Sequence, residues 1–135
     1  MKIFKAIDIA GSGLTAHRAM MDVISENLAN ANTTRTPDGG PYQRKVPVFE
    51  EKLDEAMGAS GVKLKEVATD QSAPRMVYDP GHPDANEEGY VAYPNVSVVR
   101  EMADMMTASR AYEANLEVVK SAKAMLEASL DLLKG

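Results

Sequence analysis

Apolar residues recur at every third or fourth position over the last forty residues of the chain. Between Val96 and Lys134 there is neither proline nor glycine, whereas Pro94 precedes this run and Gly135 follows it. Proline before and glycine after such a run are typical of helix ends. The pattern therefore predicts a single helix, about 60 Å long at about 1.5 Å per residue.

Within this helix, one line of positions alternates between steps of three and four residues, as the a and d positions of a coiled coil do. Eight of its ten positions are apolar, with Ser109 and Lys123 as the exceptions. The line consists of Met102, Met105, Ser109, Tyr112, Leu116, Val119, Lys123, Leu126, Leu130 and Leu133. Because a globule of 135 residues is only about 30 Å across, the helix needs a partner of similar length.

A second line with the same spacing crosses the first third of the chain. Its positions are Ile7, Ala10, Leu14, His17, Met21, Ile24, Leu28 and Ala31, and only His17 is polar. The polar residues that end it are Asn30, Asn32, Thr33 and Thr34. We expect the two terminal helices to pair antiparallel as a coiled coil, with the surplus apolar surface contacting other chains.

The glycines near the start of the chain raise a different interpretation. Gly11, Gly13 and Ala16 fit the G-x-G-x-x-A spacing of a dinucleotide-binding turn. That turn requires a preceding strand and an acidic residue about 20 residues later, at the end of a second strand, but residues 30–37 are polar and turn-like. Because the helical line runs through the glycines, we expect them instead where two helices approach closely.

The middle of the chain differs in composition from both ends, since residues 36–94 hold all seven prolines and six of the nine glycines. Alternating residues predict a strand at 42–49, and Pro47 within it favours an edge position. Further strands are predicted near residues 62–67 and 75–79. The sequence thus predicts a small β-rich or extended insert with too few apolar residues for a large core.

Composition and charge exclude several classes of function. The formal charge of −5 argues against nucleic acid as the partner, and the absence of cysteine removes disulfides, thiolate catalysis and cysteine-based zinc sites. No apolar run reaches the roughly 20 residues that span a bilayer. Asp8 interrupts the short apolar patch at the start of the chain, so we expect no cleavable signal peptide.

One loop carries residues that could bind a cation. Asp79, His82, Asp84, Glu87 and Glu88 lie within ten residues, and carboxylate oxygens suit hard cations. Their spacing is not that of an EF-hand, so we expect a solvated acidic loop. No serine or histidine has a plausible catalytic neighbour. We therefore expect no enzyme activity, no cofactor and no metal site.

Two residues of the last helix have alternative roles. Tyr112 lies on the apolar line, and Asn115 flanks it. Tyr112 is either a packing residue with its hydroxyl at the rim or, with Asn115, a polar group that fixes the register or the partner, as asparagine does in coiled coils.

The two ends of the chain together resemble the bacterial flagellar axial proteins. Residues 12–16 (SGLTA) and 26–33 (ENLANANT) resemble the N-terminal signature of that family, and residues 89–96 (GYVAYPNV) and 105–115 (MMTASRAYEAN) resemble its C-terminal signature. Most axial proteins carry Pro-Gly-aromatic directly after the Asn-rich motif, whereas this chain has Arg-Thr-Pro-Asp at 35–38. In that departure and in its short length, the chain resembles the proximal-rod proteins of the FlgC type.

The resemblance implies a structural subunit of the flagellar basal-body rod, the drive shaft that crosses the periplasm. It implies export through the flagellar type III apparatus without a cleaved signal, and assembly with other copies and with neighbouring rod proteins. Terminal helices would form an inner tube from residues 1–34 and 96–135, with 35–95 as the insert. The alternatives are a soluble coiled-coil adaptor and a secreted binding module.

From these patterns we predict a set of residues that pair the helices or contact neighbouring subunits. They are Leu14, Met21, Ile24, Leu28, Asn30, Asn32, Met105, Tyr112, Asn115, Leu116, Val119, Leu126, Leu130 and Leu133.

Overall fold

The computed structural model describes residues 2–56 and 58–135 and contains two long helices separated by four strands. Helix α1 spans Lys2–Ala29 and helix α2 spans Val98–Lys134. The strands are β1 (Lys45–Asp54), β2 (Ala59–Thr69), β3 (Arg75–Tyr78) and β4 (Tyr90–Tyr93). The predicted terminal helices around a small strand-containing insert are confirmed, although helix makes up only about half of the chain, with 28 and 37 of 135 residues.

The ends of α2 are capped by residues of the local sequence. The Ser97 side chain accepts a hydrogen bond from the backbone N–H of Arg100, which satisfies one of the donors that a helix start leaves unpaired. At the other end, the N–H of Gly135 donates to the carbonyl of Asp131. The predicted stop at Gly135 is thus confirmed, whereas the cap at Ser97 was not predicted.

Helices α1 and α2 pack against each other in antiparallel orientation. Asn27 of α1 lies opposite Glu101 of α2, and Gly13 lies opposite Asn115, so equal steps along the two helices run in opposite directions. A β-carbon at Gly13 would lie 2.8 Å from Nδ2 of Asn115. The prediction of a small residue at a close helix approach is therefore correct at Gly13, which lies within a helix and not in a nucleotide-binding turn.

The buried residues of α2 each lie one position before a residue of the predicted line. Ala108 and Ala122 are buried, whereas Met102 and Lys123 are exposed. The prediction was wrong there because it favoured large apolar side chains. In the register set by Asn27–Glu101 and Gly13–Asn115, Ala122 lies opposite Ala6 and Ala108 lies opposite Met20, and the small alanine side chains fill these contacts.

Strands β1 and β2 form an antiparallel hairpin that packs against α1. The Ser12 hydroxyl lies 2.5 Å from the position a β-carbon of Gly61 would occupy and accepts a hydrogen bond from the N–H of Val62 at 3.1 Å. Lys45, at the start of β1, meets Asn27, near the end of α1. Among the described residues the hairpin contacts α1 and not α2, so α1 is the central element.

Strands β3 and β4 form a second antiparallel pair, in which Arg75 lies opposite Tyr93. A small buried cluster of Ala31, Tyr42 and Val96 lies where the segment after α1 meets the segment before α2. This cluster brings the end of α1, the start of β1 and the start of α2 to one place.

Candidate assembly site

A buried polar cluster joins the end of α1 to the start of α2, and Asn27 is at its centre. The side chain of Asn27 is 1% exposed. Its Oδ1 accepts from the Tyr42 hydroxyl at 2.8 Å and from the Lys45 N–H at 2.9 Å. Its Nδ2 donates to the Lys45 carbonyl at 2.9 Å and to Oε2 of Glu101 at 3.4 Å. All four hydrogen-bonding positions of the amide are used, so burial leaves none unpaired.

Glu101 supplies the charge of this cluster from the first turn of α2. It is 1% exposed, and its Oε1 accepts from Nε of Arg44 in an ion pair. The guanidinium also reaches Oδ2 of Asp70 at 3.4 Å. A carboxylate in the first helical turn is favoured by the helix dipole. Because Arg44 contacts one oxygen of Glu101 and Asn27 contacts the other, the buried charge is compensated.

Burial in this cluster raises the pKa of Tyr42 to about 12, and the negative charges of Glu26 and Glu101 add to the effect. The hydrogen bond to Glu101 raises the pKa of Arg44 further above its usual range. The backbone N–H of Ser72 is the main cause that lowers the pKa of Asp70. The cluster therefore keeps a neutral tyrosine beside a fixed ion pair at neutral pH.

The other end of the helix pair is apolar and uncovered. Extending the contact register from Asn27–Glu101 and Gly13–Asn115 places Lys2 opposite Leu126. The last eight residues of α2, 127–134, therefore extend about 12 Å beyond the described part of α1. Leu133, which continues the line of Met105, Tyr112, Val119 and Leu126 on the α1-facing side of α2, is 84% exposed. Leu130, next to that line, is 49% exposed.

The structure distributes the predicted interface residues over both helices. On α1, Ile24 is buried, and three others are half-buried: Leu14, Met21 and Leu28. On α2, a half-buried group lies on the α1-facing side or next to it: Met105, Tyr112, Asn115, Leu116, Val119 and Leu126. Leu130 and Leu133 are exposed, and Asn115 contacts α1 at Gly13.

The two predicted asparagines beyond α1 differ from each other. Asn30 donates from Nδ2 to the Glu26 carbonyl at 2.9 Å and accepts from the Thr33 hydroxyl at 3.1 Å, which closes the end of α1. Asn32 is exposed. His17, on the α1 line, has a buried Nδ1 without a hydrogen-bond partner among the described residues.

The acidic loop is attached to the segment after α1 instead of being fully solvated. Oδ2 of Asp84 accepts from the Thr34 hydroxyl at 2.7 Å, and Oδ1 pairs with Arg35. The Asp84 N–H donates to Nδ1 of His82 at 3.0 Å. The hydrogen bond from Thr34 is the main cause that lowers the pKa of Asp84. Within the described residues, no group of three or more acidic or histidine side chains is arranged to hold a metal ion.

The cluster residues that the sequence did not predict as site residues are Asn27, Glu101, Arg44 and Tyr42. The signal for Glu101 was its position, one heptad before Ala108 and three heptads before Ala122, on the same side of α2. An acidic residue at a buried position is uncommon, which is why the predicted line passed through Met102. In the described part of the chain, neither helix has a stretch long and apolar enough to span a membrane.

Comparisons with known proteins match both ends of the chain and its full length. Residues 7–35 match the family described as flagella basal body rod protein, and residues 87–132 match the flagellar basal body rod FlgEFG protein C-terminal family. The basal-body rod protein FlgC of Borreliella burgdorferi is 44% identical, with both chains covered completely. That of Escherichia coli is 43% identical over 98% of each chain, and that of Bacillus subtilis is 39% identical over 99% of this chain and 100% of its own.

Proposed function

Because the chain belongs to the FlgC family of flagellar basal-body rod proteins and is a structural subunit of that rod, we propose that it polymerises into the helical drive shaft of the proximal rod. In that role it transmits motor torque towards the hook. The observation that carries the proposal is the uncovered end of α2, where Leu130 and Leu133 are exposed in the single chain. Fully burying an exposed leucine contributes about 1.5–3 kcal/mol. A neighbouring subunit that covers Leu133 gains most of this, and one that covers the half-exposed Leu130 gains about half of it.

We propose further that the paired helices act as a coiled coil in the inner tube of the rod. This assigns residues 1–34 and 96–135 to the inner-tube domain and residues 35–95 to a projecting insert. The antiparallel packing of α1 on α2 and the close approach at Gly13 support the assignment. On this proposal, the interface residues predicted from the sequence on α1 and α2 pair the two helices or contact neighbouring subunits.

The proposed partners are other copies of this chain, neighbouring rod proteins and the flagellar type III export apparatus. The proposed location is the periplasmic rod, reached without removal of a signal peptide. We propose no catalytic role, and the buried polar residues Asn27 and Glu101 act instead to hold the cluster together through their hydrogen bonds and ion pair.

Purified hook-basal bodies test this function. In cells that make this chain as their only copy of the subunit, we expect it in the rod, and we expect rods and hooks to be absent when its gene is deleted. The isolated chain should sediment as a monomer at all accessible concentrations. A stable soluble dimer that is absent from basal bodies would instead indicate an adaptor, and a conformational change on calcium titration would indicate a binding module.

A further inference from the structure

The β1–β2 hairpin has an apolar face that is half-buried near the start of β1 and exposed over the rest of its length. Paired residues of an antiparallel hairpin alternate between two faces, and Gly61 places one face against Ser12 of α1. The opposite face, here called the outer hairpin face, consists of Pro47, Phe49, Glu51, Leu53, Ser60, Val62, Leu64 and Val67. Leu53, Val62, Leu64 and Val67 are between 41% and 63% exposed.

A β-bulge enlarges this face. Phe49 pairs with Leu64 and Val48 pairs with Glu66, so Lys65 is the extra residue. Without the bulge, strict alternation from Leu64 would turn Glu66 outward and Val67 inward. The bulge therefore places a valine instead of a glutamate on the outer hairpin face. Contiguous exposed apolar surface of this kind marks interaction sites in soluble proteins.

Helix α2 has a second uncovered apolar surface near its start, on a different side from α1. This outer α2 stripe consists of Val98, Val99, Met102 and Met106, which are 46–79% exposed. It extends about 18 Å when the next turn to Arg110 is included, at about 1.5 Å per residue. The outer hairpin face is about 20 Å long from Pro47 to Leu53, at about 3.4 Å per residue, so the two surfaces match in length.

Charge also matches between the two surfaces. Glu51 lies within the outer hairpin face between Phe49 and Leu53, and Arg110 lies one turn beyond Met106 on α2. Both residues are exposed, and neither forms an ion pair with any other described residue. A carboxylate that interrupts one apolar surface can therefore meet an arginine that borders the other.

We propose that the outer hairpin face of one copy of this chain packs on the outer α2 stripe of the next copy, with Glu51 facing Arg110. Within one chain the hairpin contacts α1 and not α2, so the contact requires a second copy. Two different surfaces of the same chain form a heterologous contact, which repeats without closing unless its rotation closes a ring. The proposal rests on the proposed rod function and names the surfaces that carry subunit growth.

Disulfide cross-linking tests the contact, because the natural chain has no cysteine. In basal bodies containing the double variant Leu64→Cys with Met102→Cys, oxidation should give a ladder of dimers, trimers and longer species. The pairing of Leu64→Cys with Lys120→Cys, which places one thiol far along α2, should give none. A second pair, Val67→Cys with Val99→Cys, replaces the first if that variant fails to assemble.

Three outcomes would overturn the proposal. Dimers from Leu64→Cys alone would mean that the hairpin face packs on itself, and dimers from Met102→Cys alone would mean the same for the stripe. If both double variants enter basal bodies without cross-linking, the docking proposal fails while the rod function stands. Absence of the unmodified chain from basal bodies would instead overturn the rod function.

Charge reversal provides an independent measurement of the same contact. Glu51→Arg and Arg110→Glu should each lower the yield of hook-basal bodies, and the two changes together should restore it. Unfolding of the purified chain should be unchanged in all three, because both side chains are exposed. Losses that add in the double variant would contradict a direct pairing of these residues.

Discussion

The two ends of the α1–α2 pair are built from opposite kinds of side chain. At one end, Asn27, Tyr42 and Glu101 are buried, and Asn27 is hydrogen-bonded to each of the other two. At the other end, Leu130 and Leu133 are exposed on a helix that extends beyond its partner. Polar groups are therefore buried where the chain supplies their partners, and apolar groups are exposed where it does not.

This difference separates two tasks. Buried hydrogen bonds have strict geometric requirements, so the polar end fixes how the two helices and the hairpin meet. Apolar contact is non-directional and scales with area, so the apolar end suits contact with a separate subunit. We expect changes at the polar end to alter the stability of the single chain, and changes at the apolar end to alter assembly alone.

The largest effect is expected from Leu130→Asp, at the apolar end. A carboxylate there is solvated in the single chain but would be buried without a partner in the rod, which is strongly unfavourable. We expect synthesis, export and unfolding free energy to be nearly unchanged, and rod growth to stop, so that cells lack hooks. The measurement is the yield of hook-basal bodies.

The matched control for that change is Glu127→Gln, an exposed position on the same part of α2, which should be tolerated. If Leu130→Asp assembles normally, the apolar end is not an assembly interface, and the contrast between the two ends loses its functional meaning.

The next effect in size is expected from Glu101→Ala, at the polar end. The change removes the buried ion-pair partner of Arg44, which keeps only Asp70, and one of the two acceptors of the Asn27 amide. Breaking a buried ion pair costs about 3–5 kcal/mol. Because Arg44 keeps some solvent access, we expect about 3 kcal/mol, measured by denaturant unfolding of the purified chain.

Glu117→Ala on the same helix is the control for Glu101→Ala. Its ion pair with Lys120, at 3.4 Å, is exposed on both sides, and such pairs contribute at most about 0.5 kcal/mol. Equal effects of the two substitutions would mean that burial of Glu101 does not organise the polar end.

The smallest effect is expected from Tyr42→Phe, which removes one hydrogen bond of 2.8 Å to Asn27 and about 1 kcal/mol of stability. The pKa of Tyr42 is raised from 10.0 to about 12 in the folded chain, so its contribution is complete below pH 10. It decreases as pH rises from about 10 to about 12, since the unfolded state loses the proton first.

Unfolding free energy measured across that pH interval checks this prediction. The unmodified chain should lose more stability than Tyr42→Phe does, because the variant has no hydroxyl to titrate at this position. Parallel curves for the two chains would show that the Tyr42 hydroxyl is not held neutral by burial.

Local patterns were sufficient to predict both helices and the β-rich insert. Steps of three and four located α1 and most of α2, and alternation located the hairpin, because these periods are properties of the backbone. At Gly13 the glycine within the helical line did indicate a close helix approach, whereas at Gly11 that prediction was wrong, since a β-carbon there would have no neighbour within 4 Å outside its own helix backbone.

The polar cluster could not be predicted in the same way. Asn27 and Glu101 are separated by 74 residues, so nothing in the sequence around either residue indicates the other. The wrong prediction of the buried positions on α2 has the same cause, because Ala108 is buried only where α1 comes close. Both errors concern contacts between distant segments, which depend on how the elements pack.

The separation of Asn27 from Glu101 has a consequence for the order of folding. The hairpin joins residues that are close in sequence and can form within microseconds, whereas contacts between distant segments form late because long loops must close first. The side of α1 that faces α2 stays uncovered until the last quarter of the chain is available. On the proposed export route, the chain therefore completes this fold only after α2 has left the export apparatus.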